Sequence, residues 1–261
     1  MTPPILTDKD YAAPSVFDVD KLLREARRQK RLPDLPVPRV CVLDPDGDLV
    51  EHLRAAGRSE RHRGWGCYHT DLEVFTLGDQ EVGVVGRAVG SSFAVLVAEE
   101  LFASGCILLI SVTSAGQIQL LGDPPYFMLI DRALRDEGTS YHYLPPARYS
   151  RIDPALQTAL WTHWDQATLP LHCGSSWTTD APFRETESAL ASRLTEGVAA
   201  VEMEAAALYA LAEARRFAIV CFAHITNDPT SNGEDFEKGP AQGATATLAV
   251  ITEAMRCLAV G

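Results

Sequence analysis

The chain has 261 residues, a formal net charge of −12, 46% hydrophobic residues and 22% charged ones. That length suits one large α/β domain with a substantial core better than two small ones, and the negative charge excludes broad nucleic-acid binding, which needs a basic surface to displace counterions from phosphates. No apolar run is long enough for a transmembrane helix, and the opening "MTPPILTDKDYAAPSVF" lacks a basic stretch followed by an apolar one, so no signal peptide, no membrane partner and a cytoplasmic location are expected.

In chain order, "SVFDVDKLLREARRQKRL" predicts a helix with Leu22, Leu23 and Ala26 on its apolar side, ended by the prolines of "LPDLPVPRV". Residues 1–38 therefore read as a helical extension and linker, and 39–261 as a single domain. There "RVCVLD" predicts a strand, "LVEHLRAAG" a short helix, and "LEVFTLG" and "QEVGVVG" two strands. "SSFAVLVAEELFASG" predicts a helix capped by Ser91 or Ser92 and ended by Gly105. "CILLISV" is a continuous apolar strand of the kind covered on both faces. "PYFMLIDRAL" predicts another strand, "GVAAVEMEAAALYALAEARRF" a strand end running into a long helix, "AIVCFAHIT" a buried strand, and "AQGATATLAVITEAMRCLAV" a closing helix. Strands alternating with helices predict a three-layer α/β/α fold around a mixed or mostly parallel sheet. Cys41, Cys67, Cys106, Cys173, Cys221 and Cys257 are scattered, without CxxC or zinc-like spacing, and read as reduced, mostly buried thiols.

Ligands of such folds sit at the carboxyl ends of strands, so the strand-end loops carry the chemistry. "DPDGD" opens like a calcium loop, but Ala55 stands where the bidentate glutamate is required; it reads as a turn, and no metal is expected. "VVGRAVGSS" places Arg87 and Gly90 before a helix whose free N–H groups favour an anion or polar ligand. "AVEMEAAAL" puts Glu202 and Glu204 around Met203 where an apolar segment becomes a helix. Two carboxylates there need donors, which a sugar diol supplies; a solvated helix start is the other reading. "HITNDP" ends a buried strand in Asp228, either a general acid–base group or a turn aspartate before proline.

These loops, in this order, resemble the nucleoside phosphorylase superfamily: purine nucleoside and uridine phosphorylases and the related methylthioadenosine and AMP nucleosidases. The resemblance rests on "AVGSSFAVLVAEEL", "SVTSAGQI", "DEGTSYHYLPP", "AVEMEAAALYALAEA" and "ITND", and covers roughly residues 39 to 258. It implies a nucleoside as the small-molecule substrate, cleavage of its N-glycosidic bond, no cofactor beyond inorganic phosphate as a co-substrate, and a homo-oligomer (dimer, trimer or hexamer). It implies that Glu204 takes the ribose 2′- and 3′-hydroxyls beside Met203 and Glu202. Asp228 meets N7 of a base, which favours a purine. Gly116, Trp177, Asp180 and Arg184 fall to the base pocket, with Trp177 either stacking or core. Ser114 and Gly90 fall to the acceptor site.

The resemblance breaks at phosphate. Pro45 and Leu49 stand where the first loop should carry glycine and arginine, and Ser111 where a strand should end in a second arginine. Arg87, or Arg63 given by a neighbouring subunit, are the possible replacements. Phosphorolysis is the family-level expectation. Hydrolysis, with Asp44, Asp46 or Asp48 as base, is the alternative, and a non-catalytic nucleoside-binding protein the second.

Overall fold

A computed structural model describes residues 2–227 and 236–259. Helix α1 (Val19–Lys30) opens the ordered core, capped by Asp18, whose side chain accepts from Lys21 N at 2.9 Å. Then come β1 (Val40–Asp44), α2 (Asp48–Ala55), β2 (Ser59–Arg61), β3 (Glu73–Leu77), β4 (Gln80–Gly86) and α3 (Ser91–Ala103). The second half holds β5 (Leu108–Gln117), β6 (Tyr126–Asp136), β7 (Tyr149–Arg151), α4 (Pro154–His163), β8 (Leu171–Thr179), α5 (Glu187–Thr195), β9 (Ala200–Glu202), α6 (Ala205–Arg215), β10 (Ala218–Asn227) and α7 (Ala244–Cys257).

These strands form one mixed sheet in the order β10-β6-β8-β9-β5-β1-β4-β3-β2, with β7 on β6 and β10 also paired to β5. That last pairing closes β10, β6, β8, β9 and β5 into a ring, from which β1, β4, β3 and β2 extend as an open sheet. The helices form two packed groups, α1 with α3 and α6, and α2 with α7 and α4, which gives the expected three layers. β1 is buried along its whole length, as the apolar run Val40–Leu43 requires, and the burial extends to Asp44. On α6 every residue from Ala205 to Ala212 is buried. Its alanines bring the α6 backbone close to α3 and the strands.

The hydroxyl cap expected on α3 is replaced. Gly90 is the N-cap with φ 86°, and Ser91 Oγ instead donates to Met203 O at 2.8 Å. β5 runs on past its apolar part through Thr113 to Gln117, pinned on one side by β10 and on the other by β9. The extension lies against the domain: α1 buries Leu23 and Ala26, and Arg27 Nε donates to Gly64 O at 3.0 Å. All six cysteines are free, and five are buried. Among the described residues no helix is long and apolar enough to cross a membrane.

Candidate functional site

At the start of α6 the two glutamates have different surroundings. Glu202, 3% exposed, accepts from Glu204 N and Ala205 N at 2.7 Å each, from Ser176 Oγ at 2.9 Å, and from Thr178 Oγ1. Those four donors fill its capacity, so Glu202 fixes the turn into α6; it has no acceptor left for the sugar assigned to it from the sequence. Glu204, 1% exposed, accepts from Gly90 N at 2.7 Å and Thr113 Oγ1 at 3.0 Å, which leaves two lone-pair positions open. Burial first, and the neighbouring Glu202 second, push its carboxyl up to about 8. Met203 is half-buried beside it. Gly90, assigned to the acceptor, spends its N–H on Glu204 instead.

The next residue of β5 lines the same cavity as Thr113. Ser114 donates through N, at 3.1 Å, and through Oγ to Asp46 Oδ2. Lys238 Nζ lies 3.4 Å from the same oxygen and pairs with Asp48 Oδ2. Asp46 Oδ1 has no protein partner among the described residues. Asp44 lies beneath, 5% exposed, accepting from Val50 N at 3.0 Å, and burial pushes its carboxyl up to about 7. His224, stacked on Phe127 with ring centroids 4.4 Å apart, is driven down to about 4 by burial and is neutral at pH 7. Asp44, Asp46, Asp48, Thr113, Ser114 and His224 line a cavity of about 10 Å³, the lower end of the room one water needs.

Both positions where an arginine was missing are interior. Leu49 is 1% exposed and packs in the core; Ser111 is 1% exposed, its hydroxyl unpartnered among the described residues. Arg87 does not replace them. It adopts φ 67°, donates its N–H to Asp44 O at 2.9 Å, and turns its exposed guanidinium to Glu51. Arg63 is also outside the site: it lines a cleft of about 870 Å³ with Arg39, Arg58 and Val40, at the amino end of β1.

On the base side, Gly116 registers with Asn227, so β10 delivers the chain beside β5 just before Asp228, which itself lies outside the described residues. Trp177 is the core alternative, not a stacking platform. It is 3% exposed, packs with Leu134, Val198 and Val201, and donates Nε1 to Asp136 at 2.9 Å. Asp180 is exposed and accepts from Gly138 N at 2.8 Å, tying two loops together. Arg184 is exposed on a short 3-10 turn with no side-chain partner among the described residues.

A family model described as the phosphorylase superfamily matches residues 39–256. The chain belongs to the phosphorylase superfamily. No curated protein matches the sequence. Among solved structures, it is similar to the purine nucleoside phosphorylase from Toxoplasma gondii in complex with immucillin-H, with a TM-score of 0.70 and 16% identity over 85% of this chain and 90% of that one. At that identity the likeness establishes the fold.

The site combines a buried carboxylate with open acceptor capacity, Glu204, and an acidic pocket that meets it at Thr113 of β5. Sequence reasoning named Glu204 and Ser114, which both lie at this site. It missed Thr113, His224 and Lys238. Thr113 stood in view inside "SVTSAG", while Lys238 sits in "FEKGP" and gives no local signal that it faces Asp46 and Asp48.

Proposed function

We propose that the protein is a nucleosidase: it cleaves the N-glycosidic bond of a nucleoside, of purine type, and water is the acceptor. The observation that carries this is Asp46. A carboxylate occupies the backbone N–H and the hydroxyl of Ser114, which phosphate would need, with one oxygen pinned and Oδ1 open. An inorganic anion placed there would meet carboxylates of Asp46 and Asp48 and no arginine. Each charge-assisted bond lost with the missing arginines forgoes about 1.5–3 kcal/mol. Phosphorolysis keeps one observation in its favour, the ammonium of Lys238, but that charge already serves two carboxylates.

In this reading Glu204 accepts hydrogen bonds from the 2′- and 3′-hydroxyls and holds the sugar over β5, against Met203. As the bond between the anomeric carbon and the base nitrogen stretches, positive charge builds on the ribose, and the buried carboxylate of Glu204 stabilises it. Asp46 Oδ1 takes a proton from the attacking water, whose oxygen bonds to the anomeric carbon. The electron pair of the broken bond leaves with the base, and Asp228 supplies it a proton or hydrogen bond. The purine preference rests on the correspondence of Asp228 to the acid of purine-acting relatives.

The test is base release with and without phosphate, with the sugar product identified. Free ribose at a phosphate-independent rate is expected, and Asp46→Asn should lower kcat by about 10²- to 10⁴-fold, the range of general-base catalysis. Ribose 1-phosphate as product, with no release in phosphate-free buffer, would sink the hydrolytic reading.

A further inference from the structure

Lys238 lies outside every motif that identified the family, yet among the described residues it is the one cation paired with the carboxylates of the acceptor pocket. Its side chain is 15% exposed. Two features seat it there. Glu237 N donates to Thr226 O at 3.0 Å, which lashes this segment to the end of β10. Gly243 lets the chain pack tightly: a Cβ at that position would stand 2.9 Å from Lys238 O and 2.5 Å from His224 Cε1. The ammonium then bridges the first loop, Asp46 on one side and Asp48, the first residue of α2, on the other.

The consequence for Asp46 is directional. Lys238 Nζ, Ser114 N and Ser114 Oγ all address the same oxygen, Oδ2. Three donors on one oxygen fix the plane of the carboxylate and leave Oδ1 as the atom presented to a water. Asp48 has a different effect. By sharing the ammonium with Asp46 it leaves the cluster with two carboxylates to one cation, and so with no net positive charge to offer a free anion.

We propose that Lys238 is a positioning residue that aims Asp46 Oδ1 at the attacking water, and that Asp48, by holding Lys238, is the residue that closes the pocket to phosphate. The assignment rests on the nucleosidase reading. It would explain how a superfamily member can lack both arginines and still keep an ordered acceptor site.

The experiment uses the full chain and three variants, Lys238→Met, Lys238→Arg and Asp48→Asn, assayed for kcat and KM on a purine nucleoside across a titration with inorganic phosphate. Lys238→Met is expected to lower kcat by about 10- to 100-fold, the loss typical of a misaimed catalytic group, with little change in KM, because Lys238 does not touch the sugar carboxylate. Lys238→Arg should recover most of that loss. Asp48→Asn should acquire a saturable response to phosphate that the wild type lacks. A Lys238→Met enzyme with wild-type kcat, an arginine that rescues nothing, or an Asp48→Asn enzyme as indifferent to phosphate as the wild type would each overturn the proposal. A wild type that releases no free ribose overturns the nucleosidase reading itself, so the two failures are distinct.

Discussion

Glu202 and Glu204 stand at the same helix start, and only Glu204 has capacity left for a ligand. Glu202 is saturated by two backbone N–H groups and two hydroxyls of the chain. Glu204 has two donors and is raised to about 8, so at pH 7 the empty site holds it mostly protonated. Ribose hydroxyls donating to it favour the carboxylate and lower its pKa. The sign follows: a group protonated when free and ionised when bound gives up its proton on binding. Calorimetry of nucleoside binding at pH 7, in buffers of differing ionisation enthalpy, should report release of about one proton per site, fading as pH rises above 8. Glu204→Gln should release none and bind weakly. Binding with no proton exchange in the wild type would show that Glu204 does not change state. The sequence placed this residue because "VEMEAAAL" is both unusual and local. It could not separate the two glutamates, since Ser176 and Thr178, which satisfy Glu202, come from a distant strand. The sequence left Trp177 between stacking and core for the same reason: its neighbours Leu134, Val198 and Val201 come from two other segments.

Elements were legible where their apolar period was long. The alternation of strands and helices from residue 39 onward, and the buried strands β1 and β10, follow from hydropathy alone. Three kinds of element were not legible. β8, "LHCGSSWTT", is small and hydroxylated because it lines the ring and feeds Glu202. α5 buries no residue and so shows no apolar face. β2 and β7 span three residues each, too short for a period. Residues 1–38 were read as an extension and linker outside the domain, and α1 packs against α3, with Leu23 1% exposed and in contact range of Gly66. Leu23→Ala should therefore destabilise the protein by about 2–5 kcal/mol, as deletion of a buried leucine does. Denaturant unfolding would show this as a lowered midpoint with unchanged slope. An unchanged midpoint would mean that α1 is not part of the cooperative unit.

At the scale of the molecule, the sheet brings together parts far apart in the chain. The end of β1 supplies the acidic loop, the end of β5 supplies Thr113 and Ser114, the start of α6 supplies Glu204, and the segment after β10 supplies Lys238. Arg63 is the exception. It lies in the arginine-bearing cleft at the amino end of β1, while the acidic loop follows the carboxyl end. A five-residue strand separates the two, roughly 15 Å of rise, so Arg63 cannot serve its own chain's site. The family resemblance assigns this arginine to a neighbouring subunit's phosphate, and a site that uses water does not need it. Arg63→Ala should therefore keep the wild-type kcat, with free ribose as the product. An Arg63→Ala enzyme that is nearly inactive would overturn this. Mixing it with the inactive Glu204→Gln then locates the arginine: in a symmetric dimer that exchanges subunits, recovery of about a quarter of wild-type activity would mean that a neighbouring subunit supplies it, because half the dimers are mixed and each has one intact site.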